Sequence, residues 1–292
     1  MIDGSTQLYG LLGHPIAHSL SPAIYNSFFA SAGLNQAYLP LAVCPEALEA
    51  TFPALRHLGF RGLNVTSPYK QRVAALVDRL EGVASELGCV NTARLEGDRW
   101  VGSNTDGEGL CRWLELAEGL ELGRLRVVLL GAGNAARALF RALLDRSPRS
   151  LTVINRSSGR FREPFFAAHA GAAGVSYIGM DGQCADEPMQ DADLVVNATS
   201  YGLGGRDESD RPGLPGGGLP SLALLGPRTR VVDTNYSAGG PTRFLAGVPA
   251  GCRAHDGRGM LLYLAREAYR AWTGRDPDLE PVMRLLRLAP SP

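Results

Sequence analysis

The sequence predicts an α/β protein in two domains: an N-terminal domain built on a mainly parallel sheet, then a nucleotide-binding type of α/β domain, closed by C-terminal helices. Three observations predict this. The first third of the chain alternates strand-like and helix-like segments. The middle runs from a buried apolar strand through a glycine turn into a helix, in "RLRVVLLGAGNAARALFRALLDR". The length of 292 residues suits about two domains.

The elements follow in order. "QLYGLLGH" reads as a strand, and "SPAIYNSFFASAG" as a helix with Ser21 as N-cap, Pro22 in the first turn and Gly33 at the C-terminal end. "QAYLPLAV" is strand-like, "PEALEATFPALRHLG" helical despite Pro53, and "RGLNVT" a strand. Two short helical pieces precede "CVNTARLEGDRWVGSN", a hairpin turning at Glu96–Asp98, and the helix "DGEGLCRWLELAEGL". After the glycine turn, "SLTVINRS", "DADLVVNATS" and "TRVVDTNY" are strands, and residues 202–220, crowded with Gly and Pro, read as a loop. "GRGMLLYLAREAYRAWTG" and "DPDLEPVMRLLRLA" are the closing helices.

Composition excludes several classes. Lys+Arg and Asp+Glu both number 29, so no basic field invites nucleic acid and no acidic tail invites a basic partner. Cys44, Cys89, Cys111, Cys184 and Cys252 are odd in number, widely spaced and free of C-x-x-C. That fits a reducing cytoplasm and neither a disulfide framework nor a zinc knuckle. The N-terminus lacks the basic start and long apolar core of a signal peptide, and no apolar run is long enough to span a membrane. His14 and His18 have no carboxylate or cysteine at ligand spacing, so no metal is expected.

The glycine turn has the form G-x-G-x-x-A, with Gly131, Gly133 and Ala136. The first glycine permits the tight turn, the second a close approach of backbone to a pyrophosphate, and the alanine the packing of helix on sheet. At the end of the next strand, where an NAD site usually has an acid for the ribose, stand Asn155 and Arg156, with Arg160 one turn on. Arg156 offers a fork suited to a phosphate, which favours NADP over NAD.

"NVTSPYK" carries a lysine at a strand end. Ser67 reads as N-cap and Pro68 as the first helical residue, which puts Lys70 in the first turn. There the helix dipole and partial burial should lower its pKa, suiting it to proton transfer. "GSNTDG" puts Asp106 at another helix start, and "CVNT" supplies Asn91. A proton-donating lysine steadied by a carboxylate beside a nicotinamide is what carbonyl reduction requires. Ser19 and Ser21 lie beside a helix N-terminus, a ready place for a substrate carboxylate.

"GHPIAHSLSP", "NVTSPYK", "GCVNT", "GSNTDG", "GAGNAA", "NRSSGR", "NATSYG" and "GRGML", in this order, resemble the signatures of the shikimate dehydrogenase family. The resemblance implies a substrate domain over 1–106, a Rossmann-like NADP domain over 107–254, and helices over 255–292 returning to the substrate domain. It implies reversible reduction of 3-dehydroshikimate to shikimate, or of a close cyclic relative such as quinate or aminoshikimate, within the chorismate pathway of aromatic amino acid biosynthesis. A metabolite sensor on the same scaffold should lose the acid–base pair or add a DNA-binding segment, whereas this chain keeps Lys70 and Asp106 and shows no basic helix-turn-helix appendage. A folate-type NADP enzyme would not need Ser19 and Ser21. Lys70 matches the family's catalytic lysine. Ser19, Ser21, Thr66, Asn91, Asp106 and Tyr236 match substrate-contacting positions, and Asn64 lies in the same motif. Ala132, Asn134, Ala135, Ser157, Asn197, Thr199, Thr234 and Gly257 join Gly131, Gly133, Asn155, Arg156 and Arg160 at the cofactor. The implied partner is one small cyclic hydroxy acid, held by a monomer or homodimer.

Three departures carry expectations. Leu264 stands where the family has a substrate-contacting glutamine, which predicts altered selectivity. Asn134 replaces a glycine of the fingerprint and is tolerable if it takes a positive φ. "NYSAGGPTRF" is about one residue longer than the family's spacing, a local change.

Overall fold

The computed structural model describes residues 2–180, 185–201, 219–237 and 240–288. The chain forms two compact units, one of Met1–Leu110 with Leu261–Pro292, the other of Cys111–Met260. Cys184, and the expected loop over residues 202–218, lie outside the described residues.

The first unit contains β1 (Gln7–Gly13), α1 (Ser21–Ser31), β2 (Gln36–Ala42), α2 (Leu48–Ala54), β3 (Phe60–Val65), α3 (Lys70–Ala74), β4 (Arg79–Leu80), α4 (Val83–Leu87), β5 (Thr92–Glu96), β6 (Arg99–Ser103) and the start of α5 (Asp106–Leu116). Its sheet has the order β2-β1-β3-β5-β6-β4. β1, β2 and β3 run parallel, as helical crossovers require. β5 runs antiparallel to both β3 and β6, and Gly97, at φ 61°, closes the two-residue hairpin between β5 and β6. Leu12, Phe52, Leu63, Val65, Tyr69 and Trp100 form the core beneath it.

Local starts differ from the sequence expectation. Ser21 is not the N-cap of α1. Leu20 holds that position, and Ser21 opens the helix with its N–H donated to Ser19 Oγ (3.2 Å). Residues 45–59 are not one helix: a 3₁₀ turn at Pro45–Ala47 leads into α2, which stops at Ala54, just past Pro53. Nor does α3 begin at Ser67 and Pro68. It begins at Lys70, after a turn in which Tyr69 N–H donates to Thr66 O (2.9 Å). Tyr69 is fully buried and its hydroxyl donates to Val43 O. Burial of that ring overrides the capping signal of Ser-Pro.

The second unit contains β7 (Arg126–Leu130), α6 (Asn134–Asp145), β8 (Ser150–Asn155), α7 (Pro164–Ala167), β9 (Val175–Gly179), α8 (Asp186–Asp191), β10 (Leu194–Asn197), β11 (Arg230–Asp233), α9 (Arg243–Ala246) and β12 (Arg253–His255). All neighbours in its sheet, ordered β12-β11-β10-β7-β8-β9, are parallel. The strand order reverses between β7 and β10, and ligands of such sheets bind outside the strand C-terminal ends at that reversal. The central strands are apolar throughout because both faces are covered. β9 and β12, at the two edges, were not legible as strands: β9 is half-exposed and β12 only three residues long.

The closing helices are α10 (Arg258–Thr273) and α11 (Glu280–Leu286). The division between units falls inside α5 and α10. α11 packs on α1. Trp272 of α10 donates its indole N–H to Ala93 O (3.0 Å) and covers Gly62 of β3 so closely that a Cβ there would lie 2.6 Å from the ring. Among the described residues no helix is long and apolar enough to cross a membrane.

Gly62→Ala therefore forces the indole off β3. It should destabilise the protein by about 1–3 kcal/mol, the usual cost of overpacking. The check is a lower denaturant midpoint with an unchanged slope.

Candidate active site

Strand ends in the first unit converge on one buried polar cluster. Asp106, 6% exposed, opens α5 just after β6. Its N–H donates to Asn104 Oδ1 (3.1 Å), and Asn104 donates to Cys89 O (3.1 Å). Lys70 Nζ donates to Asp106 Oδ2 at 2.5 Å, and Asn91 Nδ2 donates to Asp106 Oδ1 at 2.7 Å. Asn91 Oδ1 in turn accepts from Thr105 N–H (2.8 Å) and Thr92 Oγ1 (3.0 Å). The β5–β6 hairpin thus locks the amide that locks the carboxylate.

Lys70 is held in the charged form, contrary to the expectation of a lowered pKa. Burial works against its charge, but the Asp106 carboxylate, by its charge and its hydrogen bond, outweighs burial and raises the ammonium above its ordinary value. The dipole argument fails because α3 has five residues and a carboxylate stands 2.5 Å away. The Lys70 side chain remains 22% exposed, so its proton can reach a ligand.

Asn64 sits in the same cluster with its amide already used. It accepts from Tyr38 Oη (2.8 Å) and donates to Thr92 Oγ1 (3.1 Å) and Asn91 O (3.3 Å). Thr66, half-buried, follows β3, and Gly13 makes room for it: a Cβ on Gly13 would lie 2.4 Å from Thr66 Cγ2. Ser19 and Ser21 are joined at the start of α1. Leu264, half-buried, rests its backbone on Gly109, one turn into α5 from Asp106. Tyr38, Thr92, Asn104 and Thr105 were not legible as site residues, although the "SNTDG" and "CVNT" motifs contain the last three.

The second unit gathers the expected nucleotide residues. Gly131 has φ 105° and a Cβ on it would lie 3.1 Å from Ala198 O, so only glycine fits. Gly133 caps α6, and a Cβ there would meet nothing within 4 Å. Ala132 is buried, Ala135 half-buried, and Ala136 fully buried. Asn134 is the first residue of α6 and is not at positive φ, so that condition is not needed. Asn155 donates to Ser157 O (3.0 Å), and Ser157 caps the 3₁₀ turn that follows. Arg156 is exposed and, among the described residues, makes no ion pair, whereas Arg160 is engaged by Glu163 (2.7 Å). These features fit a dinucleotide carrying an extra phosphate.

Asn197, Thr199 and Thr234 lie at the ends of β10 and β11 around a buried acid. Asp233, fully buried, accepts from Asn197 Nδ2 (2.9 Å), Asn235 N–H (3.1 Å) and Nδ2 (3.0 Å), and Thr242 Oγ1 (2.5 Å). Asn197 Oδ1 accepts from Thr199 N–H (3.1 Å) and Oγ1 (2.7 Å). Burial pushes the Asp233 carboxyl up, opposed by these hydrogen bonds. Gly257 N–H donates to Asn235 O (2.9 Å), and a Cβ on it would lie 2.1 Å from Thr234 O. Tyr236, half-buried, follows in this unit. No group of three or more His, Cys, Asp or Glu among the described residues could hold a metal ion, and His14 and His18 are exposed.

Two family models match the chain: "Shikimate dehydrogenase substrate binding domain" over residues 11–93 and "Shikimate / quinate 5-dehydrogenase" over residues 115–202. A shikimate dehydrogenase (NADP(+)) of Rubrobacter xylanophilus is 43% identical over 291 residues, covering 98% of this chain and 97% of the relative. The enzyme of the same name from Moorella thermoacetica is 40% identical, covering 99% and 95%. Among solved structures, the shikimate 5-dehydrogenase of Thermus thermophilus, in complex with NADP(H) and shikimate, superposes with TM-score 0.79 at 33% identity, covering 96% and 98%.

The Asp233 cluster is testable by stability alone. Asp233→Ala leaves buried donors of Asn197, Asn235 and Thr242 without their acceptor, each costing about 1–3 kcal/mol. A markedly lower urea midpoint is expected, and an unchanged midpoint would show that the donors find other partners.

Proposed function

Because the chain belongs to the shikimate dehydrogenase family, we propose that it is an NADP-dependent shikimate dehydrogenase, interconverting 3-dehydroshikimate and shikimate. The observation that carries this reading is the buried Lys70–Asp106 pair in a chain whose relatives are named for that reaction. The relatives' names favour shikimate over quinate, aminoshikimate, a folate-type NADP enzyme or a metabolite sensor.

In this reading the first unit binds substrate and the second binds NADP(H). When bound, NADPH supplies the hydride that the carbonyl carbon accepts. Lys70 Nζ gives a proton to the carbonyl oxygen, completing the hydroxyl, and takes it back in the oxidation direction. Asp106 Oδ2 aims the ammonium and keeps it charged, and Asn91 holds the carboxylate in place. Ser19 and Ser21 receive the substrate carboxylate. Thr66 and Tyr236 make further substrate contacts, while Asn64 acts through Asn91 and Thr92. Gly131 and Gly133 with the N-terminus of α6 receive the pyrophosphate, and Arg156 the 2′-phosphate. All these residues come from one chain, so a monomer or homodimer suffices. We place it in the cytoplasm, a reading supported by five widely spaced cysteines with no C-x-x-C pair.

The direct test is NADP+ reduction by the purified protein with shikimate, quinate and aminoshikimate side by side. Shikimate should be turned over with the highest kcat/KM, and no turnover of any of them would sink the reading.

Three variants test the residue roles. Lys70→Met should lower kcat by ~10²–10⁴, the scale of general acid–base catalysis, with NADP+ binding intact. Near wild-type turnover, with chemistry rate-limiting, would reduce Lys70 to a binding residue. Asp106→Asn should move a pH limb. The folded pKa of Lys70 is raised, so its acid form is fully present below the ordinary lysine range and is lost only as pH rises through the raised value. Removing the Asp106 charge leaves burial, the largest influence on Lys70, without its main counterweight, which moves the ammonium downward. The alkaline limb of kcat for 3-dehydroshikimate reduction should therefore begin at lower pH than in wild type. Arg156→Ala should weaken NADP+ binding by ~1.5–3 kcal/mol, as for a lost bond to a charged group, with NAD+ affinity little changed. Equal losses for both cofactors in a titration would refute the phosphate assignment.

A further inference from the structure

Buried hydroxyls are almost always hydrogen-bonded, so an unpartnered one asks what it is for. Tyr25 of α1 is 1% exposed, and its hydroxyl has no partner. Its ring cannot swing away. It stacks on Tyr38 (centroids 4.5 Å apart, planes at 14°) and is wedged by Trp272 (5.0 Å) and Phe28 (6.1 Å). The stacking partner points into the polar cluster, since Tyr38 Oη donates to Asn64 Oδ1 (2.8 Å). Ser21 lies four residues before Tyr25, on the same face of α1. Burial first, and then the Asp106 charge, hold the proton on the Tyr25 phenol, while Asn64 beside it works the other way. Asn64 itself is occupied by Tyr38, Thr92 and Asn91.

Among the buried aromatic residues described, Trp100 and Tyr269 also carry a polar atom with no hydrogen-bond partner, and both stand elsewhere. Trp100 packs on Phe52, and Tyr269 on Phe28 and Phe29. Tyr25 differs in having the catalytic carboxylate within electrostatic reach. On the α5 side of the same unit, Leu264 rests on Gly109 and can neither donate nor accept a hydrogen bond. A polyhydroxylated substrate must find its partners on other walls.

We propose that Tyr25 is a specificity-determining residue whose hydroxyl hydrogen-bonds a ring hydroxyl of the bound substrate. This rests on the shikimate dehydrogenase reading and adds a residue to it. No group among the described residues pairs with this donor, and the substrate supplies the partner.

The test is Tyr25→Phe, which keeps the ring and removes one oxygen. Without substrate that oxygen has no partner among the described residues to lose, so the thermal midpoint and the Kd for NADP+ should stay at the wild-type values. KM for shikimate should rise about 3–10-fold, the worth of one neutral hydrogen bond. Shikimate derivatives each lacking one ring hydroxyl then localise the contact: for one of them, wild type and Tyr25→Phe should have the same KM. An unchanged KM for shikimate overturns the inference while wild-type turnover keeps the family reading. So does an equal penalty on every derivative, which marks a packing effect. A wild type inert toward shikimate removes both readings.

Discussion

One ion pair governs the first unit: Lys70 Nζ to Asp106 Oδ2 at 2.5 Å. A charge taken out of water is costly, and an isolated buried lysine would shed its proton. Placing a carboxylate against it reverses the outcome, and the ammonium is raised rather than lowered. The carboxylate must then be fixed so that its second oxygen is satisfied and its first stays aimed. Asn91 does both, and Thr92 and Thr105 fix Asn91. The hairpin of β5 and β6 exists in the right register to deliver these side chains, pairing Thr92 with Ser103. Buried polar groups of this sort are worth having only when every member is satisfied, and the chain of donors here runs from Tyr38 through Asn64 and Thr92 to Asn91. The lysine keeps one side accessible, as the proton-donor role proposed for it requires.

Much of this was legible in the sequence, for identifiable reasons. The β7–turn–α6 unit announces itself because a buried strand, Gly131 and a helix occupy adjacent residues, and the constraint that fixes Gly131, at φ 105°, is local. Lys70 and Asp106, 36 residues apart, were each marked by their place at a strand end. What could not be read depends on long-range partners. The start of α3 follows from the burial of Tyr69 against Val43, which no capping rule contains. The charge state of Lys70 follows from a neighbour that a dipole argument on α3 alone omits. Asn64 lies in the same motif as Lys70, but its orientation is set by Tyr38 on another strand. β9 and β12 lacked a clear pattern because edge strands are short and half-exposed.

Two buried aspartates show how far residue type falls short of role. Asp106 and Asp233 both lie at the ends of strands in parallel-rich sheets, and both are almost inaccessible. Asp106 has a cation against it and serves as that cation's counterion. Asp233 has only neutral donors from Asn197, Asn235 and Thr242, and burial pushes its carboxyl upward. Asp233 is fully buried and every one of these donors comes from β10, β11 or the segment that follows them, so it clasps the ends of the two strands together. That clasp has a use: it holds Asn197, Thr199 and Thr234 at the strand ends where a parallel sheet of this order receives its ligand. Both aspartates accept from an asparagine amide, and the difference between them is the lysine that stands beside Asp106 alone.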